Sequence, residues 1–151
     1  MEQDLKELLL IDLCARLTYG VKVFYKYKTW DSEKFATSIR LADGKIALSS
    51  KFEEEGDWFP IEEAGEILIK PYLRPMSSMT EEEYNELEVL AHGCDCVLYT
   101  SCFPVKCNAK FKTYNLEVID WLNKKMLDYR GLIEKSLALE APENMYNLKN
   151  K

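Results

Sequence analysis

The feature that most limits the fold is a series of short strand-like segments between residues 21 and 72. In the first segment two sets of side chains alternate, with Val21, Val23, Tyr25 and Tyr27 on one face and Lys22, Phe24, Lys26 and Lys28 on the other. A period of two residues is typical of a strand with one buried face. Similar runs follow at 36–41, 45–49, 57–61 and 66–72. Asp43-Gly44, between the second and third runs, predicts a hairpin.

These segments predict a compact β unit preceded by a helix. Five short strands with tight turns favour a small, strongly bent antiparallel sheet or an SH3-like barrel. A flat antiparallel sheet with the helix on one face is the alternative. The helix is predicted over 4–17, where leucines recur at helical spacing, and Gly20 is expected to end it.

The second half of the chain is predicted to be rich in helix. Thr80 and Glu83 have the spacing of a capping box and begin one helix. A later helix is indicated by Val118, Ile119, Leu122 and Met126, with Gly131 expected to end it, and the tail from Pro142 is expected to fray. The predicted class is therefore α+β, with regions 1–75 and 76–151 packed together or forming one single domain.

Length and charge restrict the class of protein further. The chain has 151 residues and a net charge of −6, which suits a globular domain and disfavours nucleic acid as the default partner. The charge is unevenly distributed, since residues 18–52 hold seven basic and three acidic side chains, whereas residues 53–69 hold seven acidic ones and none that is basic. These segments are either a basic patch beside an acidic one or two solvated loops.

The cysteines raise the question of a metal site. Four of the five cysteines gather near the single histidine, and the candidates are His92, Cys94, Cys96, Cys102 and Cys107. Structural zinc sites use two short-spaced ligand pairs, but here the spacings are C-x-C and C-x4-C within one short segment. Buried thiols are therefore preferred to a metal site, and no cofactor is expected. An odd cysteine count, with no export signal or apolar span, predicts a cytoplasmic protein that does not contact a membrane.

No recognised catalytic motif is present. The sequence contains no phosphate-binding glycine loop, no nucleophile–histidine–acid order and no paired-histidine metalloprotease pattern. The acidic run Glu81-Glu82-Glu83 is explained by the helix dipole. We therefore expect a protein that is not an enzyme.

Two groups of residues are candidates for binding. The face formed by Lys22, Phe24, Lys26 and Lys28, with Trp30 at its end, combines lysines with aromatic rings as single-strand nucleic-acid binders do, or simply keeps the strand solvated. Asp128, Tyr129 and Arg130 form a compact polar group after a helix. They suit either a protein interface or a turn held by its own chain.

Three strings carry a family resemblance. They are LLLIDLCARLTYGVKV at 8–23, KPYLRPMSSMTEEE at 70–83 and IDWLNKKMLDYRGLIEKSLALEAPENMY at 119–146. They resemble a group of small proteins, without an assigned activity, from gut bacteria of the Bacteroides group and their phages and mobile elements. The group does not share the cysteine cluster and often has a histidine pair at Lys124-Lys125, which weakens the zinc interpretation.

The resemblance implies an accessory protein of a mobile element and a common surface at Tyr72, Arg74, Asp128, Tyr129 and Arg130. The small barrel, the mixed-charge surface and the absence of catalytic motifs favour a binding protein that engages a protein partner. A nucleic-acid-binding module is the alternative, and a zinc-stabilised domain or metal-dependent enzyme is a third hypothesis.

Overall fold

A computed structural model describes residues 2–91, 96–97, 110–111 and 116–146. It contains three α-helices, α1 (Glu2–Arg16), α2 (Glu81–Ala91) and α3 (Leu116–Lys124), and two 3-10 turns, Leu17–Tyr19 and Met76–Ser78. The described strands are β1 (Lys22–Tyr27), β2 (Trp30–Arg40), β3 (Lys45–Ser49), β4 (Asp57–Pro60), β5 (Glu62–Glu63), β6 (Glu66–Ile67), β7 (Ile69–Leu73), β8 (Cys96–Val97), β9 (Lys110–Phe111) and β10 (Leu139–Glu140).

The main sheet has six strands in the order β10-β7-β1-β2-β3-β4. Strands β1 to β4 form an antiparallel meander, and β7 returns to pair with the other side of β1. Because β4 and β10 lie at opposite edges, the sheet is open. The α+β class is confirmed, and of the two predicted arrangements the closed barrel is wrong. Strand β10 is parallel to β7, because the long connection through α2 and α3 brings the chain back in the same direction.

One face of the sheet packs against α1 and forms the main core. Leu9 and Leu13 of the helix are fully buried against Val23, Tyr25 and other apolar residues of the sheet. The period-2 alternation predicted for β1 is therefore confirmed over Lys22–Tyr27. Burial of this apolar surface is the main favourable term for a fold of this kind.

Gly20 and Asp43-Gly44, in the first half of the chain, have the local structures that the sequence predicts. Gly20 has a φ of 77° and its N–H donates to the Leu17 carbonyl, so it ends the helical segment in the left-handed conformation that glycine adopts without strain. The hairpin around Asp43-Gly44 forms between Arg40 and Lys45, which pair across it. The side chains of Arg40 and Asp43 are joined by two hydrogen bonds, of 2.8 and 2.6 Å.

Helix α3 ends before Gly131, the predicted stop. The N–H of Leu127 donates to the Leu122 carbonyl and the N–H of Met126 to the Asn123 carbonyl, which is the Schellman arrangement. Met126 therefore occupies the left-handed position with a φ of 57°. Burial of Met126, Leu122 and Leu127 in the cores offsets this unfavourable backbone conformation.

The segment after Pro142 is packed as far as Tyr146, so the expectation that it frays is wrong there. Tyr146 is buried and belongs to the main core, as does Met126. Its hydroxyl accepts from the N–H of Lys22 at 3.0 Å and donates to the carbonyl of Tyr72 at 2.8 Å. The phenol thus bridges β1 and β7, and residues from both sides of the predicted boundary after residue 75 share one core.

Removal of the Tyr146 hydroxyl is expected to destabilise the folded protein. In Tyr146→Phe the Lys22 N–H and the Tyr72 carbonyl lose their partner while the ring volume is kept. We expect the free energy of unfolding to fall by about 1–3 kcal/mol, the penalty for buried groups left unsatisfied. Urea denaturation measures it. Tyr27→Phe is the matched control, since the hydroxyl of Tyr27 donates to the exposed Glu63. Equal losses in the two variants would contradict the prediction.

Candidate interaction surfaces

A buried ion network joins α1 to the segment after α3. Arg16 donates to both carboxylate oxygens of Asp12, at 2.9 and 3.0 Å, and both side chains are fully buried. Arg130 donates to the same carboxylate at 2.8 Å. The two arginines therefore place two positive charges on one buried carboxylate. Charge-assisted and bidentate contacts of this kind are the strongest hydrogen bonds in proteins.

The network extends to the backbone and to an aromatic ring. Nη2 of Arg16 donates to the Leu127 carbonyl at 2.8 Å, across 111 residues of sequence. The guanidinium groups of Arg16 and Arg130 lie over the ring of Tyr129, 5.5 and 4.6 Å from its centroid. Nη1 of Arg16 has no hydrogen-bond partner within the described residues. The ring of Tyr129 therefore offers Arg16 a favourable cation–π contact where hydrogen bonding is incomplete.

A second ion pair holds the start of α2 against the end of the sheet. Arg74 donates to both carboxylate oxygens of Glu83, at 2.9 and 2.8 Å. The capping box is confirmed, since the Thr80 N–H donates to Glu83 and the Glu83 N–H donates to the Thr80 hydroxyl. Burial raises the pKa of Glu83, but the hydrogen bonds from Arg74 and from the Thr80 N–H outweigh it, and the pKa lies below its ordinary value.

The five residues of the predicted common surface make contacts within this chain. Asp128 is buried and accepts from the N–H groups of Leu132 and Ile133, at 2.8 and 2.9 Å, which orders the turn after α3. The side chain of Arg74 is only 12% exposed, and the Tyr72 carbonyl accepts from Tyr146. With Tyr129 and Arg130 in the ion network, all five help to join the C-terminal part to the sheet. A role for them in partner binding stays a prediction.

The residues of the predicted basic-aromatic face do not all lie on the same face of the sheet. Lys22, Phe24 and Lys26 do share the face of β1 that points away from α1. Trp30 lies on the opposite face, because it pairs directly with Tyr27 and its ring is 5.6 Å from that of the core residue Tyr25. Lys28 is outside the strand, in the turn, with a φ of 56°. Lys28 nevertheless lines the same depression as Phe24 and Lys26, so the predicted grouping is wrong for Trp30 alone.

The remaining face also has acidic neighbours. Phe24 is paired with Glu33 and Lys26 with Asp31 on β2, and Lys22 lies 3.9 Å from Glu33. Lys22 is also over the ring of Phe35, 5.1 Å from its centroid. Pairs of this kind reduce the positive field that phosphate binding requires.

Exposed aromatic side chains lie on both faces of the β2–β4 end of the sheet. Trp30 and Trp58 are 41% and 42% exposed, and Phe52, in the loop before β4, is 39% exposed. Trp58 lies on the face away from α1, because it pairs with Ala47, whereas its neighbour Phe59 pairs with the buried Ile46. Patterns in the sequence do not identify Phe52 or Trp58 as candidate binding residues, although Trp58 lies within the acidic segment 53–69.

Each of these rings is held by its neighbours. Trp30 stacks on Phe59 with centroids 5.5 Å apart, and Phe52 lies 5.9 Å from Phe35. The guanidinium of Arg40 lies 4.4 Å from the centroid of Trp58. Aromatic rings that are rigid before binding lose little entropy when a partner covers them.

The candidate metal ligands fall mostly outside the described residues. His92, Cys94, Cys102 and Cys107 are outside them, and Cys96 is described only as the first residue of β8. In the part of the chain that is described, no group of three or more His, Cys, Asp or Glu side chains is placed to hold a metal ion. The described helices include none with the length and apolar character needed to cross a membrane.

Comparison with known proteins gives no relative. Neither a scan of protein-family models nor searches of curated proteins and of solved structures found a match.

The buried network predicts an asymmetric response to mutation. Asp12→Ala removes the carboxylate and leaves Arg16 charged and buried, and we expect the free energy of unfolding to fall by about 3–5 kcal/mol. The double variant Asp12→Leu with Arg16→Met removes both charges and is expected to be more stable than Asp12→Ala. Denaturant titration compares them. Asp43→Ala, which breaks an exposed pair, is the control and is expected to change stability little. A double variant no more stable than Asp12→Ala would contradict the argument.

The lowered pKa of Glu83 predicts a pH dependence. A carboxyl whose pKa is lower in the folded state stabilises the fold above its unfolded pKa, and this contribution is lost as the pH falls through the folded value. We expect Glu83→Gln to lower the free energy of unfolding by about 1–2 kcal/mol at pH 7. The gap from the wild type should narrow below about pH 4. Urea titrations at several pH values test this, with the exposed Glu82→Gln as control. A gap that stays constant with pH would contradict it.

Proposed function

We propose that this chain is a non-enzymatic binding protein that engages a protein partner through the β2–β4 end of its sheet. The observation that carries the proposal is the exposure of three held aromatic rings at that end, with Phe52 and Trp58 beside one cleft and Trp30 on the opposite face of the sheet. Tryptophan and phenylalanine are enriched at protein interfaces, and tryptophan dominates the residues that contribute most to binding.

The proposal includes the setting that the sequence resemblance implies. The protein acts in the cytoplasm as an accessory of a phage or mobile element in a Bacteroides-group bacterium. In the buried ion network the carboxylate of Asp12 neutralises the charges of Arg16 and Arg130 within the chain. This supports a structural role, rather than a binding role, for the candidate residues that belong to the network.

A pull-down from lysate of a Bacteroides-group gut bacterium tests the proposal. Tagged wild-type protein is compared with a Trp30→Ala/Trp58→Ala variant, whose fold is checked by circular dichroism, and each sample is run with and without nuclease. We expect one host or element protein to be enriched by the wild type, to survive nuclease and to be lost with the double variant. The absence of any enriched protein, or equal recovery with both chains, would contradict the proposal.

A nucleic-acid-binding module is the second candidate, and one observation favours it. Phe24, Lys26, Lys28 and Lys70 line a depression of about 660 Å³ on the outer side of β1 and β7. The carboxylates of Glu63 and Glu66 line it too, which reduces its positive field. This candidate predicts recovery of nucleic acid in the pull-down, and binding that weakens steeply with salt and is lost in Lys26→Glu.

A further inference from the structure

A cleft of about 600 Å³ opens on the outer face of the sheet, beside Trp58 and the loop that precedes β4. Phe52 and Trp58 line it together with Ala47, whose small side chain lies on the same face of the sheet as Trp58. The loop carboxylates Glu53, Glu54 and Glu55 also line it. Its volume lies within the range of ordinary binding pockets, roughly 300–1,000 Å³.

The loop beside the cleft is held in place at both ends. A Cβ atom at Gly56 would lie 2.5 Å from the backbone carbonyl of Leu48, so only glycine allows the chain to approach β3 this closely. At the other end, the ring of Phe52 packs over Gly20, where a Cβ would be 3.2 Å from the ring. The aromatic lining is therefore formed before any ligand enters.

The charged residues that line the cleft are all acidic. Its lining includes three glutamates and neither lysine nor arginine. Glu54 has a partial partner in Lys51 at 3.4 Å, in a pair that is well exposed to solvent. Exposed pairs of this kind contribute little, so the carboxylates keep most of their attraction for an added cation.

The indole ring of Trp58 already makes a cation–π contact within its own chain. The guanidinium of Arg40, fixed by Asp43, lies over the indole ring and is not among the residues that line the cleft. The quadrupole of an indole ring attracts cations, and aromatic lining with nearby carboxylates is the arrangement that recognises alkylammonium groups.

We propose that this cleft binds a lysine or arginine side chain presented by a basic segment of the protein partner. The aliphatic stem would pack against Phe52 and Trp58, while the charged group meets Glu53–Glu55. The inference rests on the proposed function, because it names the chemistry of the partner at one part of the aromatic end.

Binding of a fluorescein-labelled octalysine peptide, followed by anisotropy at several salt concentrations, tests the cleft directly. We expect the wild type to bind and Trp58→Ala to bind roughly 3–30-fold more weakly, as loss of one cation–π contact predicts. Trp121→Ala is the matched control, since Trp121 also makes a cation–π contact, with Lys125, but lies on α3 and does not line the cleft, and it should bind as the wild type does.

A pair of charge variants separates the cleft from general attraction to an acidic protein. The variant with glutamine at Glu53, Glu54 and Glu55 is expected to bind about tenfold more weakly. The variant with glutamine at Glu134, Glu140 and Glu143, three exposed carboxylates away from the cleft, has the same net charge and is expected to bind as the wild type does. Equal losses in the two triple variants, unchanged binding by Trp58→Ala, or no binding by the wild type would overturn the proposal.

The two proposals fail in different ways. A host partner recovered equally well by Trp58→Ala but lost with Trp30→Ala overturns the cleft and leaves the proposed function standing. An empty pull-down beside octalysine binding that passes every control overturns the proposed function and supports the cleft as a cation site.

Discussion

The buried contact between Asp12 and Arg16 is the interaction on which the arrangement of this fold depends. Both groups lose all their water, so each is stable in the core only while the other is present. Arg16 then reaches the Leu127 carbonyl, and Asp12 binds Arg130, which fixes the C-terminal segment against the helix. The ion network therefore specifies where the last part of the chain is placed.

The sequence predicts those elements whose cause is local. Alternation gives β1, the glycine at 20 ends the first helical segment, and Thr80 with Glu83 begins α2, because each depends on a few neighbouring residues. The same reasoning fails at Met126. A Schellman motif usually has glycine at that position, and only the burial of the surrounding leucines explains a methionine there.

The surfaces were harder to predict than the elements, since they depend on which strands become neighbours. Trp30 follows the lysine-bearing strand in sequence, yet the two-residue turn brings it back opposite Tyr27 and onto the other face. The cleft beside Trp58 joins residues from five parts of the chain, namely the 3-10 turn, β2, β3, the loop before β4, and β4 itself. Periodicity within a single sequence does not predict which distant segments come into contact. The sequence predicts the polar group at 128–130 but not its partner on α1, Asp12.

The phenol of Tyr146 has a consequence for the order in which the chain folds. Its hydrogen bond to Lys22 spans 124 residues, and that to Tyr72 spans 74. During synthesis, which proceeds from the N-terminus, β1 and β7 are made long before Tyr146. The two hydrogen bonds by which the Tyr146 hydroxyl joins these strands form only afterwards. Contacts so distant in sequence slow folding, since a large loop must be closed before they repay its entropy. Until residues 139–146 have been made, the sheet therefore lacks both its edge strand β10 and this bridge.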